Sequence, residues 1–137
     1  MEHLKNKSKE SLKAAELLIS QKLYNSSIHH FYYACFQLML YVKETNPEVK
    51  QYYNRYYSIG KAQGSHESLI STVFRNLSTE EPIDAQAFKE AIDGLQELRL
   101  KADYYNAIIS SREAELARRL ADSVLYVLRK KYFEEDE

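Results

Sequence analysis

Apolar side chains recur every three or four residues along most of this chain, which is the spacing of an amphipathic α-helix. The pattern predicts helices at about 4–20, 25–44, 65–77, 85–105 and 110–128. In the second of these, apolar residues fill the core spacing from Ile28 to Val42 and also occur on the other sides of the helix. We therefore expect the second helix to lie at the centre of the fold.

Two segments that contain proline interrupt this pattern. Residues 46–63 begin beside Pro47, and their sequence fits either one short helix or a mobile loop. Residues 78–84 contain Pro82, so we predict a connection there that ends at Asp84, a residue suited to the N-cap of the next helix. The chain is thus predicted to form four main helices and a short one.

The last helix has its own start signal. Ser110 followed by Glu113 is a capping-box pattern, in which each side chain bonds to the backbone N–H of the other residue. The acidic tail over 134–137 is expected to fray. The sequence predicts a single all-α domain over 1–137, folded as an antiparallel bundle of four to five helices.

Composition excludes several classes of protein. The 137 residues include one cysteine, Cys35, which excludes an internal disulfide and a multi-cysteine metal site. The net charge of -1 excludes a polycationic nucleic-acid coat but not a local basic groove. The longest apolar stretch, from Phe31 to Val42, is shorter than the roughly 20 residues that span a membrane. No charged-then-apolar leader opens the chain, so we expect a cytoplasmic protein without a membrane partner.

Tyrosine is the unusual residue, since the chain has 12 Tyr and no Trp. Eight of them form four adjacent pairs, Tyr32–Tyr33, Tyr52–Tyr53, Tyr56–Tyr57 and Tyr104–Tyr105. Tyr combines apolar area with a polar tip, so these pairs fit helix interfaces and also fit stacking at a nucleotide or polynucleotide site. An exposed aromatic patch on so small a chain predicts self-association, with a homodimer as the expected form.

Arg99 has an unusual position on the fourth predicted helix. It lies on the apolar stripe between Leu95 and Ala102, where a charge without a partner is costly. Asp103 is one turn further on, in position to pair with it. Two interpretations stay open: a structural Arg–Asp pair, or a cation lining a groove that holds a phosphate.

Histidine supplies the other candidate chemistry. His66 opens the apolar face of the helix at 65–77, either as a helix-start residue with a satisfied imidazole or as part of a site. His29 and His30 are adjacent and point about 100° apart, so at most one of them faces the core beside Tyr33. No His or Cys pair has the spacing of a metal site, and neither a glycine-rich phosphate loop nor a nucleophile elbow occurs. We expect no metal and no cofactor.

Three segments together resemble the prokaryotic HEPN domains. Residues 25–36, NSSIHHFYYACF, are similar to a HEPN helix that reads Ala/Ser-x-x-Arg-x-Tyr-Tyr-Ala-x-Phe, with His30 in place of the Arg. The GSH run at 64–66, followed by Phe74, is similar to their His that opens the next helix. Residues 99–104, RLKADY, resemble their Arg-x-x-x-Asp-Tyr signature, and the last predicted helix looks like theirs as well.

This resemblance implies a fold and a chemistry. HEPN domains are antiparallel helical bundles that often dimerise, and many are encoded beside a minimal nucleotidyltransferase. Active members are metal-independent RNases, often toxins, whose catalytic motif is an Arg followed four to six residues later by a His. Arg99 matches the Arg of that motif, whereas Asp103, Tyr104 or Tyr105 stands where the His belongs. Asp and Tyr do not simply replace a His that titrates near pH 7.

The leading hypothesis is a HEPN module that binds or acts on RNA or a nucleotide, as the toxin-like or accessory partner of a nucleotidyltransferase. Under it, Arg99 binds phosphate, while His66 and His30 donate hydrogen bonds or transfer protons in the same groove. The proposed binding surface also includes Tyr32, Tyr33, Asp103 and Tyr104.

Two further expectations concern partners. In some toxin pairs of the family, the nucleotidyltransferase silences its partner by adding AMP to a Tyr just after the motif. By resemblance, Tyr104 and Tyr105 are the candidate acceptors here. The alternative hypothesis is a non-catalytic helical module that dimerises or binds a protein partner through a Tyr-rich face.

Overall fold

The fold is all-helical in the part of the chain that the computed structural model describes, residues 2–57 and 64–133. It contains six helices, which are α1 Glu2–Ser20, α2 Tyr24–Thr45, α3 Pro47–Tyr57, α4 Ser65–Glu80, α5 Pro82–Tyr104 and α6 Ser111–Tyr132. Within these ranges no strand occurs. The predicted all-α bundle is therefore confirmed, but with six helices rather than four or five.

The additional helix, α3, is formed by the segment that begins at Pro47. This proline is the first residue of α3, where its missing N–H is not needed and its fixed φ suits a helix. The Asn46 side chain accepts a hydrogen bond from the Val49 N–H at 3.1 Å, which caps the new helix. The short-helix alternative is thus correct as far as Tyr57. Residues 58–63 and the acidic tail at 134–137 lie outside the described ranges.

The predicted connection over 78–84 is wrong. Helix α4 continues to Glu80 and α5 begins at Pro82, so Glu81 alone separates them. Asp84 lies in the first turn of α5 rather than at its N-cap. The physical reason is that a proline which cannot continue one helix is well suited to start the next.

Helix α2 is the central element, as its apolar pattern predicted, since it packs against each of the other five helices. Its fully buried side chains include Ile28, Phe31, Tyr32, Cys35 and Met39. Burial of large apolar side chains on this scale is the main favourable contribution to folding. Among the described residues, no helix is long and apolar enough to cross a membrane.

A tight turn reverses the chain between α1 and α2. The Leu23 N–H donates to the Leu18 carbonyl at 2.9 Å, and the Lys22 N–H donates to the Ile19 carbonyl at 3.0 Å. This pairing is a Schellman motif, in which the residue after the helix end adopts the left-handed conformation. That residue is Lys22, with a φ of 63°. The motif lets α2 pack antiparallel to α1 after only three linking residues.

The predicted capping box at the start of α6 is confirmed. The Ser110 hydroxyl accepts a hydrogen bond from the Glu113 N–H at 3.1 Å, and the Glu113 carboxylate accepts one from the Ser110 N–H at 3.0 Å. Lys101 of α5 forms an ion pair with the same carboxylate. These contacts fix the start of α6 beside the end of α5, where the candidate site lies.

Replacing Lys22 with glycine is expected to stabilise the protein by about 1 kcal/mol, because glycine adopts the left-handed conformation without a steric penalty. The greater freedom of glycine in the unfolded chain offsets part of the gain. Urea unfolding followed by circular dichroism measures the change. Lys22→Ala is the matched control, since it also removes the long side chain but keeps Cβ. Equal stabilities of the two variants would contradict this assignment of strain.

Candidate functional site

The Arg99 side chain lies at the centre of a cluster of polar and aromatic groups, with 8% of the residue exposed. Its Nε donates to the Asp103 carboxylate at 3.0 Å. Its Nη2 donates to the Tyr33 hydroxyl at 2.9 Å and to the Tyr104 hydroxyl at 3.2 Å. The structural Arg–Asp pair that the i, i+4 spacing predicted is therefore present.

Three tyrosine rings surround the guanidinium. Its Cζ lies 5.3 Å from the ring centroids of both Tyr32 and Tyr33, and 5.1 Å from that of Tyr104. At these distances the electron-rich ring faces attract the cation. A buried charge is destabilised because it loses contact with water. The three rings replace part of that lost stabilisation.

One edge of the guanidinium is not used by the protein. Among the described residues, Arg99 Nη1 has no hydrogen-bond acceptor. Within the same ranges, no buried side-chain nitrogen or oxygen lacks a partner. The Nη1 atom must therefore reach solvent. Arg99 is held firmly on one side and presents two N–H donors on the other, an arrangement suited to a carboxylate or phosphate.

A histidine from α2 supports the acidic partner. His29 Nδ1 lies 2.8 Å from the same Asp103 oxygen that Arg99 contacts, and its ring packs on Tyr33 with centroids 4.7 Å apart. Nearby, the Asn25 side chain donates to the Ala102 carbonyl at 2.9 Å. These contacts join the start of α2 to the end of α5, so the orientation of Arg99 depends on both helices.

His66 contributes an imidazole from the first turn of α4. Its Nδ1 lies 2.8 Å from the Tyr32 hydroxyl, and its ring stacks on Phe36 with centroids 4.0 Å apart. Tyr32 is fully buried, and in the described ranges its hydroxyl has no other partner. We assign the hydroxyl as the donor to His66, because a buried O–H without an acceptor is costly. Burial raises the pKa of Tyr32 well above its usual value, which keeps that proton in place.

The charge state of His66 follows from the same surroundings. Burial, and then the Arg99 charge, lower the pKa of His66 below its ordinary value of 6.5. The neutral ring accepts at Nδ1, so it carries its proton on Nε2. Because Nε2 has no partner in the described part of the chain and no unpartnered atom there is buried, this N–H also reaches solvent.

Most of the predicted site residues meet in this cluster, namely Arg99, His66, Tyr32, Tyr33, Asp103 and Tyr104. His30 lies beside it: its Nδ1 donates to the Ser26 carbonyl at 2.9 Å, and its ring meets that of His29 at 5.3 Å. Tyr105 follows the last residue of α5 and is exposed.

The sequence pattern does not single out two members of the cluster, His29 and Phe36. Of the adjacent histidines, His29 contacts both Tyr33 and Asp103. A signal for this exists, because His29 precedes Tyr33 by one helical turn and shares its face. The stacking of Phe36 on His66 joins two helices far apart in sequence, so no local spacing indicates it.

Among the described residues, no group of three or more His, Cys, Asp or Glu is placed to hold a metal ion. No protein-family model matches the chain, and neither a curated protein nor a solved structure is significantly similar to it. What the cluster offers is a fixed cation with two outward N–H groups and a neutral imidazole with a third.

Folding stability is expected to fall as the pH drops below 6.5, the ordinary pKa of histidine. Since folding lowers the pKa of His66, the unfolded chain binds more protons in this range, and acid favours unfolding. Protonation also takes Nδ1 away from Tyr32. Urea unfolding at about pH 7.5 and about pH 5.5 tests this on wild type and His66→Asn, whose side-chain oxygen keeps an acceptor near Nδ1. Wild type should lose more stability than the variant, and equal losses would assign the pH dependence to other groups.

Proposed function

We propose that this chain is a HEPN-like domain that binds RNA or a nucleotide through the outward N–H groups of Arg99. The observation that carries the proposal is the fixed guanidinium, whose Nε and Nη2 are held by Asp103, Tyr33 and Tyr104 while Nη1 has no acceptor in the described part of the chain. A guanidinium held in one orientation loses little entropy on binding an anion. The motif that resembles the HEPN signature, residues 99–104, supplies three of these four residues.

Two helices contribute donors to the proposed site. Arg99 of α5 supplies a permanent charge, and neutral His66 of α4 supplies an N–H at Nε2. Both groups pack against the rings of Tyr32 and Tyr33, so the two donors belong to one cluster. Donors of this kind bind phosphate oxygens, which are acceptors only.

Binding is favoured over cleavage by the tautomer of His66. A general base needs a nitrogen with a free lone pair, but Nδ1 is occupied by the Tyr32 hydroxyl and Nε2 carries the proton. Asp103, one of the three residues that stand where active members have the motif His, is already shared by Arg99 and His29. The proposed role is therefore recognition of the phosphate.

A nucleotidyltransferase is the proposed partner, and Tyr104 is the proposed acceptor of its nucleotide. The residue Tyr104 is 66% exposed, while its hydroxyl accepts a hydrogen bond from Arg99 at 3.2 Å. A nucleotide attached there would bring its phosphate against the guanidinium and fill the site. Tyr105 is similarly exposed and is the second candidate acceptor.

A second candidate function, protein interaction, is supported by an exposed apolar patch beside the site. The patch is defined by Tyr104, Tyr105 and Ile108, which are close in sequence and all exposed, Ile108 to 93%. Grouped exposure of large apolar side chains is typical of a contact surface. We propose that a second copy of the chain covers this patch, which would bring two Arg99 clusters close together.

Arg99→Lys is expected to weaken the binding of a short labelled RNA or of AMP at least tenfold. Lysine keeps the positive charge but cannot reproduce the three hydrogen bonds that orient the guanidinium. Fluorescence anisotropy for the RNA and calorimetry for AMP measure the affinity. Arg119→Lys, at an exposed position of α6, is the matched control. Unchanged affinity of a folded Arg99→Lys protein would contradict the proposal.

Ile108→Asp is expected to convert a dimer into a monomer, because a charge in an apolar contact is costly to desolvate. Sedimentation velocity at high micromolar concentration measures the state. Ile83→Asp is the control, since Ile83 is also highly exposed but lies at the opposite end of α5. A wild-type chain that stays monomeric, or equal dissociation of both variants, would remove this patch as the interface.

A further inference from the structure

A groove of about 470 Å³ runs between α3 and α4, apart from the Arg99 cluster. It is lined by Glu48, Gln51, Tyr52, Arg55, Tyr56 and Arg75. His66 and Arg75 are nine residues apart on α4, which places them about 14 Å apart along the helix axis and on opposite sides of it. The groove is therefore a second surface.

Cations and rings alternate along this groove. The guanidinium of Arg75 lies 4.7 Å from the ring centroid of Tyr52, and the ring of Tyr56 follows with centroids 4.6 Å apart. The guanidinium of Arg55 then lies 5.6 Å from the centroid of Tyr56. The order along the groove is thus Arg75, Tyr52, Tyr56 and Arg55. Tyr52 and Tyr56 are neighbours because they are four residues apart on α3, and Arg75 reaches them because α4 packs against α3.

The two arginines use none of their N–H groups on other described residues. In the described ranges, the guanidinium of neither Arg55 nor Arg75 forms a salt bridge or a hydrogen bond. This contrasts with Arg99 and Arg118, whose guanidiniums are bound by carboxylates. Each of these guanidiniums therefore keeps its five N–H donors for a ligand.

We propose that this groove binds single-stranded RNA, with a base stacked on Tyr56 and the flanking phosphates held by Arg55 and Arg75. Tyr56 is 46% exposed, and a base that stacks on its ring takes the place of the exposed Arg55 guanidinium, which then reaches a flanking phosphate. Only an unpaired base has a free face to offer, which favours a single strand over a duplex. The lining is largely exposed, so a lone nucleotide would stay mostly in water, whereas a strand gains contacts at successive groups. This binding does not depend on the proposed role of Arg99.

The test uses a fluorescein-labelled 12-nucleotide oligouridylate and measures its affinity by anisotropy over a range of salt concentrations. Tyr56→Ala is expected to weaken binding about tenfold, within the range for loss of one stacked base, while Tyr56→Phe keeps the affinity. Arg55→Gln is expected to lower the slope of log affinity against log salt by about 0.7, as for one lost phosphate contact. Tyr56→Ala should leave that slope unchanged.

Tyr126→Ala is the matched control, because Tyr126 is also an exposed tyrosine with a cation near its ring, Lys130 at 5.9 Å, but lies on α6. Absence of oligouridylate binding, or equal losses in Tyr56→Ala and Tyr126→Ala, would overturn the proposal. The proposal would also be overturned if the protein bound heparin as tightly as oligouridylate and Tyr56→Ala left the heparin affinity unchanged. That result would mean that negative charge alone determines binding. If Arg99→Lys loses binding and Tyr56→Ala keeps it, the RNA binds at Arg99 and not in the groove. If Tyr56→Ala loses binding and Arg99→Lys keeps it, the result supports the groove and counts against the function proposed for Arg99.

Discussion

One buried charge sets the arrangement of the helix ends in this protein. The Arg99 guanidinium lies on the inner side of α5, where removal from water costs several kcal/mol unless partners replace it. Asp103 and Tyr104 come from the same helix end, Tyr33 comes from the central helix, and His29 holds Asp103 in turn. The Arg99 guanidinium therefore keeps its hydrogen-bond partners only while α2 and α5 hold their relative positions.

The same constraint explains why the cluster presents donors rather than a base. A fixed positive charge next to His66, added to burial, disfavours a second positive charge and keeps the imidazole neutral. The buried Tyr32 hydroxyl then fixes which ring nitrogen carries the proton. Arg99 and His66 each keep N–H groups that no described residue binds. These positively polarised hydrogens are suited to an anion. The structural ion pair and the anion site that we propose are thus compatible in one arrangement of Arg99.

Much of the fold can be predicted from the sequence, because each helix buries one face and its apolar spacing reports that face directly. The error falls at Pro82, which starts α5 one residue after α4 ends, where the pattern predicted a longer connection. At Pro47 the pattern left a short helix and a loop open, and the helix is correct as far as Tyr57. A proline interrupts one helix and also suits the start of the next, so the local pattern does not decide such cases. Within the site, the Arg99–Asp103 pair is predictable since one turn separates its members. Contacts such as Phe36 with His66 depend on how two helices cross, and periodicity carries no information about that.

The most direct test of the central claim observes the Arg99 guanidinium itself by nitrogen-detected NMR while AMP is added to the protein. Comparison with Arg99→Lys, which lacks the resonance, assigns the signal. If the outward N–H groups bind the phosphate, the Arg99 Nη1 resonance shifts in proportion to occupancy and reaches a plateau, and its protons exchange more slowly with water. A signal that stays unchanged at saturating AMP, or AMP binding that shifts other residues only, would show that Arg99 is a structural cation and contradict the claim.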